Sequence, residues 1–267
     1  MPGFKNLVFR LSAYFKYLLS AKHRKGHGIH SPFMYKLVSE IFQKTGNYYS
    51  LFPIERQRKK FLQNKTIIEP RDFGAGSSIN SHQKKKLSDI AKHSTINKKY
   101  GRLLFRLINH FEPQTMLEFG TSLGISSMYM AAPNSKSKIY SLEGCPNISK
   151  QAQEAHKNLN FNTIELINGE FSDTLPLVLS KIKQLDLVYF DGNHKKQPTL
   201  NYFKQCLRKA HNDSVFIFDD IHWSEDMQDA WKEIKRHPEI TQTVDIFRFG
   251  IVFFKQELSK ENFTIWF

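Results

Sequence analysis

The chain of 267 residues has only two cysteines, Cys145 and Cys206, far apart and in no CxxC pair. That excludes a disulfide framework and a cysteine-rich zinc cluster, and it fits a reducing, cytoplasmic setting. Long apolar runs are also missing. The most apolar N-terminal stretch, Leu7 to Leu19, is interrupted by Arg10 and Lys16 and has no small-residue cleavage site. Neither a secretory signal nor a membrane span, which needs roughly 18 apolar residues, is expected there. Carboxylates are scarce in one part only. Residues 1–110 hold 22 Lys and Arg against 5 Asp and Glu, whereas residues 111–267 hold 17 against 20, so the net charge of +14 belongs to the N-terminal part. Such a charge invites polyanions, either nucleic acid or an anionic membrane.

What is present suffices for a large core: 40% hydrophobic and 13% aromatic residues exclude a disordered chain. Phe4, Leu7, Val8, Leu11, Phe15, Leu18 and Leu19 recur at helical spacing, with Lys5, Arg10 and Lys16 off that stripe. The segment reads as an amphipathic helix that packs on the body of the protein, or alternatively as an interfacial membrane anchor. A second helix is expected from Ser31, an N-cap followed by Pro32, to about Lys44. Residues 46–90 are less regular. They contain the basic runs 56–60 and 84–86 around Asp72-Phe-Gly-Ala-Gly-Ser-Ser78, which imitates a nucleotide-binding loop but has Pro70 before it and no apolar helix after it, so a mobile loop is the expectation. His23, His27 and His30 suggest a transition-metal site only until their cationic neighbours are counted; a basic loop is expected. Asn97 to Asn109 resumes a helix.

From Thr115 onward strand and helix patterns alternate, the signature of a parallel sheet covered on both faces. Strands are expected at Thr115–Phe119, Lys138–Leu142, Thr163–Ile167, Leu185–Phe190 and Ser214–Phe218. Helices are expected near 124–132, 147–159, 173–182, 198–210 and 224–236. Thr241–Phe247 and Ile251–Phe254 read as a closing hairpin, and Phe263–Phe267 as an edge strand or a packed tail. The fold class is therefore α/β: a Rossmann-like, doubly wound, seven-stranded, mostly parallel sheet with a C-terminal β-hairpin. The domain reading is a basic, mostly helical extension over 1–93 and a catalytic domain over 94–267.

Ligands of such sheets bind beyond the C-terminal ends of the strands. After the first strand comes Glu118-Phe-Gly120-Thr121-Ser122-Leu-Gly124-Ile-Ser126, whose glycines admit close backbone approach. Glu143 ends the second strand, where an acid can take both hydroxyls of a ribose. The third strand runs into Asn168-Gly169-Glu170, the fourth into Asp191-Gly-Asn-His194, and the fifth into Asp219-Asp220. One such acid alone is usually a helix cap or a turn former; acids at five successive strand ends point to a site.

Over roughly residues 94–255 the chain resembles the class I S-adenosylmethionine-dependent methyltransferases, and among them the small metal-dependent O-methyltransferases of the catechol and caffeoyl-CoA type. The resemblance implies that Glu118, Gly120, Thr121, Ser122, Gly124 and Ser126 form the motif lining the methionine portion of S-adenosylmethionine. It also implies that Glu143 holds the ribose, that Gly169 and Glu170 border the adenine, and that Asp191 adjoins the cofactor. Asp191, Asp219 and Asp220 fall where these enzymes place three divalent-metal ligands, which would suit Mg²⁺. Two departures stand out: Asp220 replaces the usual Asn, and His194 stands where a catalytic Lys is usual. Asp191, His194 and Asp219 are accordingly the catalytic candidates, His194 as general base, with Asp191 and Asp219 orienting substrate or water if no metal is held.

The expected reaction is methyl transfer to a small-molecule acceptor, most simply to oxygen. RNA methylation is the first alternative, carried by the basic N-terminal part. Against base methylation, no two prolines are adjacent, so the [Asn/Asp/Ser]-Pro-Pro-aromatic motif is absent, and Cys145-Pro146 has the wrong order for a pyrimidine-C5 nucleophile. A nicotinamide-dependent oxidoreductase would need GxGxxG, which the Gly120 to Gly124 spacing does not supply. A non-catalytic basic binding module is the remaining alternative, and the sequence leaves oligomeric state open.

Overall fold

The computed structural model describes residues 2–22, 26–69 and 84–267. The glycine-containing stretch 72–78 and His23 lie outside these. The chain packs as two compact units, one holding residues 1–44 with Gln184–Phe267, the other Thr45–Lys183.

In the first unit, helix α1 (Pro2–Ser20) is followed by α2 (Pro32–Lys36), which continues as a π-helix over Leu37–Phe42. Ser31 caps α2 as its sequence predicts, its hydroxyl accepting from the Met34 amide at 3.3 Å. The helix expected to run to Lys44 is thus an α-to-π segment that stops two residues earlier.

The second unit contains α3 (Phe52–Gln63), the two-residue antiparallel pair β1 (Ile67–Ile68) and β2 (Lys85–Lys86), and α4 (Leu87–His93). It continues with α5 (Lys98–Phe111), β3 (Thr115–Phe119), α6 (Ile125–Ala131), β4 (Lys138–Glu143), α7 (Pro146–Asn158), β5 (Ile164–Asn168) and α8 (Phe171–Lys181). The irregularity expected over 46–90 is corrected by α3 and α4. The signal for α3 was present: Pro53 in the first turn suits a helix start, and Ile54 and Phe61, seven residues apart, are both buried on one face. The basic run 56–60 had obscured it. Strands β3, β4 and β5 are parallel neighbours in that order, with Thr115 opposite Lys138 and Glu143 opposite Asn168.

The first unit resumes with β6 (Leu187–Phe190), α9 (Lys196–Leu207), β7 (Val215–Phe218), α10 (Glu225–Arg236), β8 (Gln242–Asp245), β9 (Gly250–Phe253) and β10 (Glu261–Thr264). Its strand order is β6-β7-β9-β8-β10. The expected hairpin is present, β8 against β9 antiparallel with Asp245 opposite Gly250. The C-terminal run is an edge strand, β10 lying parallel to β8. With it, this unit contributes five strands and the other unit three parallel ones, eight in place of the seven expected. Strands β6, β7 and β9 are buried at every position, as continuous apolar runs covered on both faces must be; β8 is buried throughout too, although Gln242, Thr243 and Asp245 are polar.

Candidate active site

Each strand end in the second unit delivers one part of a cradle. Between β3 and α6 the chain makes three left-handed residues, Gly120 (φ 87°), Ser122 (φ 49°) and Gly124 (φ 75°). Ser122 is the costly one, since side chains avoid this region. Its conformation aims its amide at Glu143, at the end of β4, and donates to Oε2 at 2.8 Å. The Cys145 amide donates to the other oxygen, Oε1, at 2.9 Å. Two backbone donors therefore fix the Glu143 carboxylate beside the loop. Gly120 and Thr121 amides both donate to the Leu142 carbonyl, at 2.9 and 3.1 Å, tying the loop to β4. The Ser122 hydroxyl is buried without a hydrogen-bond partner among the described residues, a polar atom that a ligand could satisfy.

Under the loop, Glu118 is fully buried. Ser141 donates to its Oε2 at 2.5 Å and shares a 2.5 Å contact with the Thr121 hydroxyl. Burial pushes the Glu118 carboxyl up, while the hydroxyls of Ser126, Ser141 and Ser127 hold it down. Glu118 and Ser126 thus underlie the loop as a polar floor. His156 of α7 is buried too, its Nε2 lying 3.3 Å from the Gly124 carbonyl. A Cβ at Gly124 would come within 2.3 Å of that nitrogen, so only glycine fits. Gly169 donates to the Glu143 carbonyl at 3.0 Å, and Glu170 caps α8, its carbonyl accepting from the amide and hydroxyl of Thr174. The structure therefore brings Gly120, Thr121, Ser122, Gly124, Glu143 and Gly169 to neighbouring strand ends of one unit.

The acidic residues of the first unit form a second group. Register explains its assembly. Phe218 pairs with Gly250 across antiparallel β7 and β9, so Asp219 and Asp220, just past β7, meet Arg248, just before β9. Arg248 Nε donates to Asp219 Oδ1 at 2.7 Å, and Nη2 to Oδ2 at 2.8 Å, a bidentate pair with a fully buried carboxylate. The Tyr189 hydroxyl adds a 2.8 Å bond to Asp219 Oδ2 and lies 3.3 Å from Asp191 Oδ2. Asp220 adopts φ 53° and places Oδ1 3.7 Å from Arg248 Nε. Burial and then Asp219 raise the Asp220 carboxyl, against the pull of Arg248, His194 and Arg10. His194 Nε2 faces Asp191 Oδ1 at 3.6 Å.

In this arrangement Asp191, Asp219 and Asp220, expected as Mg²⁺ ligands, do not present a converging donor set. A metal needs carboxylate lone pairs directed at one point. Both oxygens of Asp219 are instead taken by a guanidinium and a phenol, and no group of three ligating side chains converges among the described residues. Sequence reading had missed Arg248, Tyr189 and His156. Arg248 was detectable as the cation in the turn between two β-rich runs. The other two show no signal, since each works through a contact made only on folding.

Residues 117–221 match the family model of a methyltransferase domain. No curated protein matches the chain by sequence. Among solved structures the chain is similar to the O-methyltransferase from Bacillus cereus in complex with SAH, at 19% identity, 60% of this chain and 82% of that one, and a TM-score of 0.53. It is similar also to TomG, an O-methyltransferase from Streptomyces achromogenes in complex with SAM, at 18% identity, 60% and 82% coverage and a TM-score of 0.53. The SAH-bound methyltransferase PaMTH1 from Podospora anserina matches more of the length, 85% of this chain and 98% of that one, at 14% identity and a TM-score of 0.59. The fold is therefore that of the class I S-adenosylmethionine-dependent methyltransferases.

Proposed function

We propose that the chain is an S-adenosylmethionine-dependent methyltransferase acting on a hydroxyl of a small-molecule acceptor. The observation that carries this reading is the Ser122–Glu143 contact, in which a strained loop residue holds a strand-end carboxylate in one orientation. Gly120 and Gly124 leave room for a ligand against the backbone, the buried Ser122 hydroxyl lacks a partner, and Glu143 is set to accept from a pair of ribose hydroxyls. Gly169 and Glu170 border the same strand ends and would flank the base. These residues fit the cofactor, which supplies a methyl group on a positively charged sulfur when bound.

In the first unit, Asp191 and His194 are the groups that would touch the acceptor. With Nε2 turned toward Asp191, His194 Nδ1 would accept the proton of the acceptor hydroxyl, and Asp191 would stabilise the resulting imidazolium. Asp219 is locked by Arg248 and by the Tyr189 hydroxyl, whose oxygen also lies 3.3 Å from Asp191. Most of the rate enhancement then comes from alignment.

Calorimetric titration with S-adenosylmethionine and S-adenosylhomocysteine, with NAD as control, tests the reading. Micromolar binding of the adenosyl ligands alone, weakened at least about tenfold in Glu143→Ala, is expected for the loss of one charged acceptor. Binding of neither ligand, or an unaffected Glu143→Ala variant, overturns it.

A further inference from the structure

The first helix turns its apolar side outward. Leu7, Val8, Leu11, Phe15 and Leu19 recur at three- and four-residue spacing and are all exposed, Phe15 by 63% and Leu19 by 86%. On an α-helix these positions form one continuous stripe. The opposite side is the packed one: Ala13 and Tyr17 are buried, and Tyr17 donates to the Ile265 carbonyl at 2.6 Å. Tyr14 meets the Phe247 ring edge-on at 4.9 Å, and the Arg10 guanidinium covers the Trp223 ring at 3.9 Å. The helix is therefore packed by one face while the other offers large apolar side chains to solvent. Among the described residues, six of the fourteen exposed large hydrophobic side chains lie on this helix.

Charge decides what covers that stripe. Residues 1–39 contain seven Lys or Arg and no Asp or Glu. Lys5 and Lys16 follow the stripe along one edge and Arg10 along the other, as the 3.6-residue turn requires. Half-exposed Trp223 and Tyr14, ring systems with a polar tip suited to a headgroup boundary, adjoin it. On the Lys5–Lys16 edge, Glu225 and Asp229 of α10 line a cavity with Lys5, Val8, Lys16 and Lys232; cations still outnumber carboxylates there, and the segment itself carries no acid, so two copies of it repel. No helix among the described residues is long and apolar enough to cross a membrane.

We propose that α1 is a docking helix for an anionic lipid surface, lying in the interface plane with Leu7, Val8, Leu11, Phe15 and Leu19 among the acyl chains and its cations at the headgroups. The contact is peripheral and reversible. Its order is present before binding, so little conformational entropy is lost on docking.

The test is flotation of the full chain with phosphatidylcholine vesicles with and without phosphatidylglycerol, beside the triple variant L11S/F15S/L19S. Because these side chains are exposed, the variant keeps its unfolding midpoint and its S-adenosylmethionine affinity. Phosphatidylglycerol is expected to strengthen binding at least about tenfold, less so at high salt, and the triple substitution to weaken it at least about tenfold. Flotation with neither vesicle overturns the proposal. So does flotation undiminished in the variant, which would reduce the contact to bare charge attraction. A dimer seen by sedimentation equilibrium and dissociated by the same variant would assign the stripe to a second copy instead.

Discussion

Acidification should loosen the protein through His156, and the amount can be worked out. The ring is buried beneath the glycine loop, and burial lowers its pKa from the ordinary 6.5 to about 4, against the Gly124 carbonyl, which favours the charged form. The folded pKa lies below the unfolded one, so between about pH 6.5 and 4 the unfolded chain binds more protons. The contribution of neutral burial is therefore complete above pH 6.5 and is lost as pH falls toward 4. That gap, at about 1.4 kcal/mol per tenfold change, corresponds to about 3 kcal/mol. Urea unfolding across this range, for the natural chain and for His156→Gln, isolates the effect. The glutamine can still donate to the Gly124 carbonyl but does not titrate. The stability difference between the two should shift by about 3 kcal/mol between pH 7 and pH 4, to the disadvantage of the natural chain. Parallel curves across the range would refute the burial argument.

Truncating Arg248→Ala leaves the buried Asp219 carboxylate without its cation and should cost about 3 kcal/mol, the lower end for a broken buried pair because the guanidinium is partly exposed. In a melt this is a fall on the order of 10 °C, and a double Asp219→Asn, Arg248→Ala variant should lose less; equal losses would show that the pair is not coupled. Turnover should be indifferent to a chelator, since Arg248 and Tyr189 already take both Asp219 oxygens; a requirement for added Mg²⁺ would contradict the geometry. Gly124→Ala would place a methyl 2.3 Å from His156 Nε2 at a φ of 75°, so roughly 2–4 kcal/mol should be lost in chemical denaturation; a change within about 0.5 kcal/mol would count against the clash. His194→Ala should lower kcat by about 10²–10⁴ with S-adenosylmethionine affinity unchanged; an equal loss of both would move His194 out of the base role.

What could be read from the chain divides along a physical line. Strand and helix positions were legible because periodicity and caps are local: β3 falls on Thr115–Phe119 as expected, and Ser31 and Asn97 cap the helices they precede. The strand-end candidates were legible because topology alone sends those residues to one edge of a parallel sheet. Pairing was not. That Arg248 grips Asp219 depends on the register of β9 on β7, and a one-residue slip would have separated them. The three acids looked alike as letters, yet one is saturated by a guanidinium and a phenol while another faces an imidazole. The conformation of Ser122 likewise shows only in three dimensions, since serine carries no mark of a left-handed backbone.

The bond from Tyr17 to the Ile265 carbonyl joins positions 248 residues apart. The unit containing α1 is interrupted by the whole of Thr45–Lys183, whose strands pair with their sequence neighbours. During synthesis that inner stretch can collapse on its own, while the partners of α1, from Trp223 to Ile265, all emerge after it. Translation therefore runs through an interval in which both faces of α1 are unpaired, and nascent-chain length becomes a determinant of when this helix is available to chaperones or to lipid.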